Sequence, residues 1–194
     1  PDFMELLDYT GQDFRPDWCN SSDDKIVADA ATYPDTATFV ISTLVFCYQS
    51  IGLWETGIHR VSLAEFLKRT TNQYSLRVID VGSGGGQTGL ILNHMGYRVS
   101  FSDIASRSMM FLEWRLRRHQ LDTLPIFSLD GDWSKIPSHD WALCFDVLEH
   151  LLDPRRTLRA CADLLAPGGI LFLYVPNFDS ASRLLMGANA HFIW

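Results

Sequence analysis

The stretch Arg77-Val-Ile-Asp-Val-Gly-Ser-Gly-Gly-Gly-Gln-Thr-Gly89 decides the fold of this chain. Its first five residues form a compact apolar run rich in β-branched side chains, which is typical of a buried strand. Glycines then cut the run off, and an apolar helical pattern starts at about Thr88. Glycine is needed where the backbone turns sharply or approaches a ligand with no Cβ in the way. The stretch therefore predicts a strand, a loop and a helix that cradle a ligand.

Asp80 is the most informative residue of this stretch, because it ends the strand just before the glycines. The spacing Gly84-x-Gly86-x-x-Gly89 satisfies the dinucleotide fingerprint, in which a pyrophosphate lies on the helix N-terminus. A carboxylate at the end of the same strand would repel a pyrophosphate and attract a cation. S-adenosylmethionine carries a sulfonium and an ammonium and no phosphate, so Asp80 favours that cofactor. The alternative is that Asp80 only caps a loop amide.

Short apolar runs and helical patterns alternate after Arg77, which predicts a parallel sheet with crossover helices. The predicted strands span residues 77–81, 97–102, 125–129, 141–145 and 170–175. The predicted helices span residues 87–95, 105–119, a segment opened by Pro154 and ended by Pro167-Gly168-Gly169, and residues 179–187. The fifth strand is nearly all apolar, so we expect it to be buried on both faces.

Asp103 follows the second predicted strand, 21 residues after Gly82. Ligands of open α/β sheets bind outside the carboxyl ends of the strands, and a carboxylate here can accept both hydroxyls of a ribose. This spacing supports an adenosine ligand in general, and we expect the neighbouring Ile104 to contact it as well. The alternative is that Asp103 caps the next helix, and the two roles can coexist.

The segment Asp80-Val-Gly-Ser-Gly-Gly-Gly86 resembles motif I of the class I S-adenosylmethionine-dependent methyltransferases. The resemblance covers about residues 59–178 and is strongest for the subgroup of ubiquinone-biosynthesis O-methyltransferases. Its other segments are Asp140-Trp-Ala-Leu-Cys-Phe-Asp-Val-Leu-Glu-His-Leu-Leu-Asp-Pro154, Arg159-Ala-Cys-Ala-Asp-Leu-Leu-Ala-Pro-Gly-Gly169 and Val175-Pro-Asn177. It implies a Rossmann-like, doubly wound, mostly parallel sheet with helices on both faces.

The resemblance also implies how the chain is divided. Methyltransferases of this class often place helices before motif I, so we interpret the apolar stretch Asp35 to Glu55 as a helix, with a buried strand as the alternative. Residues 1–58 are then an N-terminal extension and helical cap, and residues 59–194 the cofactor-binding domain. A complete fold adds an antiparallel hairpin after strand five. Since about 19 residues remain, we expect that hairpin to be missing.

The resemblance assigns further cofactor contacts beside Asp80, Gly82, Gly84 and Gly86. Asp132 matches the acidic residue that accepts from the adenine amino group, with Asp130 as the alternative. Trp133 covers the adenine or simply packs. The backbone of Phe145 contacts the cofactor. Arg60 holds the methionine carboxylate in a bidentate pair, unless it is an exposed helix arginine.

Asp146, Glu149 and His150 are the candidates for chemistry at the acceptor. Their spacing of i, i+3 and i+4 would place them on one face of a helix. His150 then acts as general base towards an acceptor hydroxyl, or the three side chains hold a divalent cation that acidifies that hydroxyl. The remaining alternative is that Glu149 and His150 are structural.

Composition narrows the classes of partner. A formal net charge of −7 disfavours nucleic acids, and we interpret Arg115, Arg117, Arg118 and His119 as a solvated helix face. Four scattered cysteines without a C-x-x-C pair indicate reduced thiols and no zinc site. The chain lacks a signal-like start and an 18-residue apolar run, so we expect a cytoplasmic protein without a transmembrane segment.

The sequence therefore predicts an S-adenosylmethionine-dependent methyltransferase that releases S-adenosylhomocysteine. Aromatic residues in the N-terminal region suggest a small apolar or aromatic acceptor. The resemblance implies methylation on oxygen, and we expect a homodimer as one assembly. Two other functions stay open. One is a binding-only relative that acts as a scaffold or regulatory subunit, and the other is a dinucleotide-dependent oxidoreductase, which Asp80 disfavours.

Overall fold

The computed structural model describes residues 2–13, 15, 28–55, 57–70, 73–151 and 153–175. Its sheet contains five parallel strands: β1 Arg77–Val81, β2 Arg98–Asp103, β3 Ile126–Ser128, β4 His139–Phe145 and β5 Leu165–Tyr174. Their spatial order is β3-β2-β1-β4-β5. The strand order reverses at β1, so the carboxyl ends of β1 and β4 flank the crevice where ligands of such sheets bind.

Helices lie on both faces of this sheet. The helices whose bounds the structure describes are α1 Asp2–Thr10, α2 Thr36–Ser42, α3 Val45–Glu55, α4 Ile58–Arg69, α5 Gln87–His94, α6 Arg107–Arg118 and α7 Pro154–Asp163. Of these, α1 and α3 pack against α6 rather than against a strand. One core cluster packs α4, α5 and α6 against strand residues that include Val78 and Phe101. A second cluster packs α7 against the opposite face, with Ile79 and Cys144. The predicted Rossmann-like architecture is confirmed.

The predicted helix over Asp35 to Glu55 is present but broken. Helices α2 and α3 meet at an angle of 61°. Thr43 stands at the break with extended backbone, and its hydroxyl oxygen accepts a hydrogen bond of 3.1 Å from the amide of Val45. A β-branched hydroxyl residue that caps the following turn favours such an interruption. In the described ranges no single helix is long and apolar enough to span a membrane; the bent pair of α2 and α3 passes a test of length and composition only.

The fifth strand differs from its prediction in two ways. It begins at Leu165, so it runs through Pro167-Gly168-Gly169, and the register with β4 shifts between His139 and Trp141. Its side chains are also not buried on both faces, since Ile170 is 43% and Leu173 42% exposed. The reason is that β5 pairs with β4 alone among the described strands and lies at the edge of the sheet. The predicted hairpin and the helix over 179–187 lie outside the described residues.

Candidate active site

The glycine-rich loop lies against the end of β2. The amides of Gly82 and Ser83 both donate to the carbonyl oxygen of Ser102, at 2.8 and 3.0 Å. Gly82 has a φ of +70°, and a Cβ at this position would lie 2.4 Å from Cγ2 of Val147. The loop is therefore held between β2 and the segment that follows β4.

The glycines of the fingerprint have different physical roles. A Cβ on Gly86 would lie 2.4 Å from Leu112, and one on Gly89 would lie 2.2 Å from Phe101, so both allow close packing inside the protein. Gly84 also has a positive φ, of +52°, but a Cβ there would meet nothing within 4 Å. Gly84 is thus the glycine of this group whose surroundings leave room for a ligand.

Asp80 is buried at the end of β1, 5% exposed. Its Oδ2 accepts a hydrogen bond of 3.1 Å from the amide of Gly89, so it does cap the first turn of α5. Burial raises the pKa of Asp80 to about 7; the Gly89 amide opposes this rise and the charge of Asp103 adds to it. The negative charge of Asp80 is therefore costly in the protein alone, and a nearby cation would relieve that cost.

Asp103 fastens the glycine-rich loop to the end of β2. Its Oδ2 accepts from the amide of Gly84 at 2.6 Å, and its Oδ1 accepts from the amide of Ile104 at 2.7 Å. Burial raises the pKa of Asp103 to about 6, although both amides oppose this rise. Asp80 and Asp103 thus lie at the carboxyl ends of neighbouring strands, so two carboxylates flank the glycine-rich loop.

The loop after β3 places Asp130, rather than Asp132, close to Asp103. Asp130 accepts from the amide of Ala105 at 2.6 Å, and its charge contributes to the raised pKa of Asp103. Asp132 is exposed and caps a short 3-10 helix through Ser134, whose side-chain hydrogen bond lowers the pKa of Asp132.

Trp133 follows Asp132 and is anchored by packing. Its Nε1 donates to the carbonyl of Leu129 at 2.9 Å, and its ring packs against the core cluster on the α7 face. A cleft of about 620 Å³ opens beside this loop and is also lined by Arg156 and Thr157 of α7. Neither Asp80 nor Asp103 lines that cleft.

His59 is a candidate that the sequence interpretation missed. Its Nε2 lies 2.5 Å from Oδ2 of Asp146, and its side chain is buried. Asp146 itself has a φ of +52°, which is unusual for a residue other than glycine and is typical of functional sites. A signal was available, because His59 shares the buried stripe of α4 with Leu63 and Phe66.

The predicted face of Asp146, Glu149 and His150 is not formed. Only a 3-10 turn spans Leu148–His150, and Asp146 precedes it with left-handed backbone. No group of three His, Cys, Asp or Glu side chains in the described part of the chain has the arrangement of a metal site. The prediction that these three side chains share a helix face is therefore wrong, and their geometry does not support a bound divalent cation.

His150 nevertheless lies beside the cap. Its ring packs against Phe46 of α3, with 5.7 Å between the ring centroids. Burial lowers the pKa of His150, and the charge of Asp146 opposes this effect. His150 is therefore mostly neutral at pH 7 and able to accept a proton.

The other candidates fall into two groups. Arg60 is exposed at the start of α4, next to the buried His59. Phe145 is buried, and its ring contacts those of Phe172 and Tyr174, so its backbone rather than its side chain is available at the end of β4. The predicted roles of Arg60 and Phe145 towards a cofactor stay predictions.

The basic face predicted on α6 is only partly solvated. Arg117 is exposed and lies 3.8 Å from Glu113 on the same helix. Arg115, in contrast, is 3% exposed and is bonded to the glycine-rich loop and to α1. The prediction was wrong for Arg115, because its partners come from distant parts of the sequence.

Known proteins share this fold and sequence pattern. Residues 52–192 match the family described as a methyltransferase domain. The ubiquinone biosynthesis O-methyltransferase of Xanthomonas campestris pv. campestris (strain B100) is 34% identical over 123 residues, which is 60% of this chain and 50% of that protein. The protein of the same name from Photorhabdus laumondii subsp. laumondii is 28% identical over 145 residues, 70% of this chain and 59% of that protein.

A solved structure supports the fold alone. The (4+2)-cyclase SpnF has a TM-score of 0.51 and 24% identity, covering 61% of this chain and 44% of that one. Its name denotes a different reaction, so the shared fold does not define the chemistry. The chain spans about half the length of the curated relatives it matches. Because the family match extends over most of its residues, this chain belongs to the methyltransferase-domain family.

Proposed function

We propose that this chain binds S-adenosylmethionine at the carboxyl ends of β1 and β2 and methylates a small-molecule acceptor, on oxygen. The observation that carries the proposal is the pair of carboxylates, Asp80 and Asp103, around the glycine-rich loop. Membership of the methyltransferase-domain family and the names of the curated relatives support it. A cytoplasmic location and a homodimer stay predictions.

Charge separates this cofactor from a dinucleotide. Burial already raises the pKa of both Asp80 and Asp103, and Asp103 adds to the rise at Asp80. A pyrophosphate would add negative charge beside these two carboxylates, whereas a ligand with sulfonium and ammonium groups would neutralise their charge. The site therefore favours a cationic ligand, and a dinucleotide-dependent oxidoreductase is the weaker alternative.

The residues present also fit a ligand with several polar groups. Ser83 and Gln87 in the loop region have buried polar atoms that lack a hydrogen-bond partner within the described ranges. Gln87 is only 2% exposed, and both its amide oxygen and its amide nitrogen are in this state. Buried polar groups in proteins are nearly always paired, so these atoms are suited to a polar ligand.

The proposed cofactor contacts use the residues that the sequence predicts. Asp80 would hold the ammonium group, Asp103 the ribose hydroxyls, and Gly84 would let the ligand approach the backbone. The loop from Asp130 to Trp133 would bind the adenine, together with Ile104 and the backbone of Phe145. Arg60 would pair with the methionine carboxylate. When bound, S-adenosylmethionine supplies an electrophilic methyl group that is open to in-line displacement.

The chain itself supplies position and a proton acceptor. Helices α2 and α3 cover the edge of the site, where Phe46 lies against His150, and they would hold an aromatic acceptor and exclude water. His150 would take the proton from the acceptor hydroxyl at its imidazole, since its lowered pKa keeps it neutral. The charge of Asp146 faces His150 and would stabilise the imidazolium that forms.

A binding-only relative is the second candidate. Such a protein would keep the cofactor site and lack turnover. The observation that favours it is Asp146, because its carboxylate already has a partner in His59. Affinity for the cofactor without product formation would support it.

Calorimetry with S-adenosylmethionine, S-adenosylhomocysteine and NADH tests the cofactor assignment. We expect the first two to bind and Asp103→Ala to weaken them at least tenfold, while Asp122→Asn, an exposed control, leaves them unchanged. Binding of NADH alone would contradict the proposal. A mass-spectrometric screen of phenols and catechols then tests turnover, and a wild-type protein that binds but yields no methylated product would favour the binding-only alternative.

A further inference from the structure

Arg115 of α6 is a buried cation that lies under the glycine-rich loop. Its Nη1 donates to the carbonyl oxygen of Gly85 at 2.6 Å, and its Nε donates to Glu5 at 2.6 Å. Its Nη2 is bonded to Asp2. One guanidinium thus joins the loop to two carboxylates of α1.

A buried guanidinium is stable only when charged and polar partners compensate for its lost hydration. Here α1 provides both carboxylates, and the side chain of Glu5 is itself only 9% exposed. The position of Arg115 therefore depends on the docking of α1 against α6. Packing favours the same docked state, since Tyr9 of α1 lies 5.1 Å from Phe111 of α6 between ring centroids.

The carbonyl that Arg115 holds belongs to the segment that faces the proposed ligand. Gly85 follows Gly84, whose amide is bonded to Asp103, and precedes Gly86, the N-cap of α5. A shift of the Gly85 carbonyl would move the Gly84 amide and so change the contact with Asp103. Sites of this kind lose function when a supporting residue allows a displacement of about 1 Å.

We propose that Arg115 is a positioning residue for the cofactor loop, and that α1 must be docked on α6 for the cofactor to bind tightly. This inference rests on the proposed function. Coupling between two sites is reciprocal, so a cofactor that binds better when α1 is docked must also stabilise the docked α1.

The chain offers matched controls for this proposal. The exposed pair Arg118 and Asp8 also joins α6 to α1, at 2.7 Å, but does not touch the loop. Arg117 lies on α6 and pairs with Glu113 of the same helix. Exposed ion pairs contribute little, so Asp8→Asn and Arg117→Lys should leave cofactor affinity within about twofold of wild type.

Isothermal calorimetry with S-adenosylhomocysteine on the full chain tests the proposal. Glu5→Gln and Arg115→Lys should raise the dissociation constant at least tenfold. In turnover assays, the KM for S-adenosylmethionine should rise by a similar factor while kcat at saturation changes less than threefold. That split separates positioning of the cofactor loop from a general loss of folded protein, which would lower kcat alone.

Hydrogen exchange of α1 in the wild-type protein gives an independent readout. S-adenosylhomocysteine should slow exchange of the α1 amides, and Glu5→Gln should remove most of this effect. Wild-type affinity in both variants would overturn the proposal. So would α1 exchange in the wild-type protein that the ligand leaves unchanged, and this second readout does not depend on the folding of a variant. A wild-type protein that fails to bind S-adenosylhomocysteine would instead overturn the proposed function, and this inference with it.

Discussion

The imidazole of His59 and the carboxylate of Asp146 lie 2.5 Å apart, although the two residues are 87 positions apart in the sequence. The contact ties α4 to the turn after β4, where Asp146 has left-handed backbone. A strained backbone at a functional site is maintained only when its surroundings hold it. His59 therefore fixes the direction of the Asp146 carboxylate, whose charge in turn acts on His150.

Replacing His59 should impair catalysis more than cofactor binding. In His59→Ala, Asp146 loses its partner, so its charge no longer has a fixed position relative to His150. We expect kcat to fall roughly 10- to 100-fold. The affinity for S-adenosylhomocysteine should change less than about threefold, because the direct contacts of the loop persist.

The control for this prediction is His94→Ala. His94 is exposed in the last turn of α5, so its loss should change neither kcat nor affinity. Steady-state kinetics and calorimetry on both variants provide the measurement. Equal effects of the two substitutions would remove His59 from the site.

His150 should set the acidic limb of the pH profile. A general base acts when deprotonated, and burial lowers the pKa of His150 below its usual 6.5. The logarithm of kcat should therefore rise with pH below that value and be level between pH 7 and 8. His150→Ala should lose that limb and about 100-fold in kcat. An unchanged profile in the variant would assign the proton transfer to another group.

Local sequence patterns were sufficient for the central part of the fold. Each strand from β1 to β4 overlaps a predicted strand, and Asp80 and Asp103 follow directly from their places at strand ends. The break at Thr43 was missed because its cause is a single hydroxyl contact with Val45. The exposure of β5 was missed because apolar composition predicts burial only when both neighbouring strands are present.

The parts of the site that were missed depend on long-range pairs. Arg115 lies in the same basic run as Arg117 and Arg118, but it is on the buried face of α6, and its partners Glu5 and Asp2 come from α1. His59 lies on the buried stripe of α4, but its partner Asp146 follows from tertiary structure alone. The assumption of helical spacing also misplaced Asp146, since the helical turn after β4 begins at Leu148.

Two glycine substitutions should separate binding from stability. In Gly84→Ala the added methyl meets nothing within 4 Å, so the cost is the positive φ, on the order of 1 kcal/mol, while cofactor affinity should fall at least tenfold. In Gly89→Ala the methyl would overlap the ring of Phe101, so we expect about 1–3 kcal/mol of destabilisation. Urea unfolding and calorimetry distinguish the two outcomes. Wild-type affinity in Gly84→Ala would show that the ligand does not approach this glycine.

Asp80 has opposite effects on stability and on binding. Its folded pKa of about 7 lies above the ordinary 3.8, so the folded protein binds more protons than the unfolded chain between these values. The free energy of unfolding therefore falls as pH rises from about 4 to 7, and the penalty is fully present above that range. A bound cation lowers the pKa of Asp80, so affinity for S-adenosylmethionine should rise with pH up to about 7 and then level off.

Asp80→Asn removes the charge and keeps an oxygen that can accept from the amide of Gly89. Without the cofactor, the variant at pH 8 should be more stable than wild type, by on the order of 2 kcal/mol, because position 80 no longer carries a buried charge. At pH 4 the two proteins should unfold alike. The variant should also show no thermal shift with S-adenosylmethionine. Thermal unfolding at both pH values, with and without ligand, provides the measurement, and a variant less stable at pH 8 would show that the Asp80 charge already has a partner within the protein.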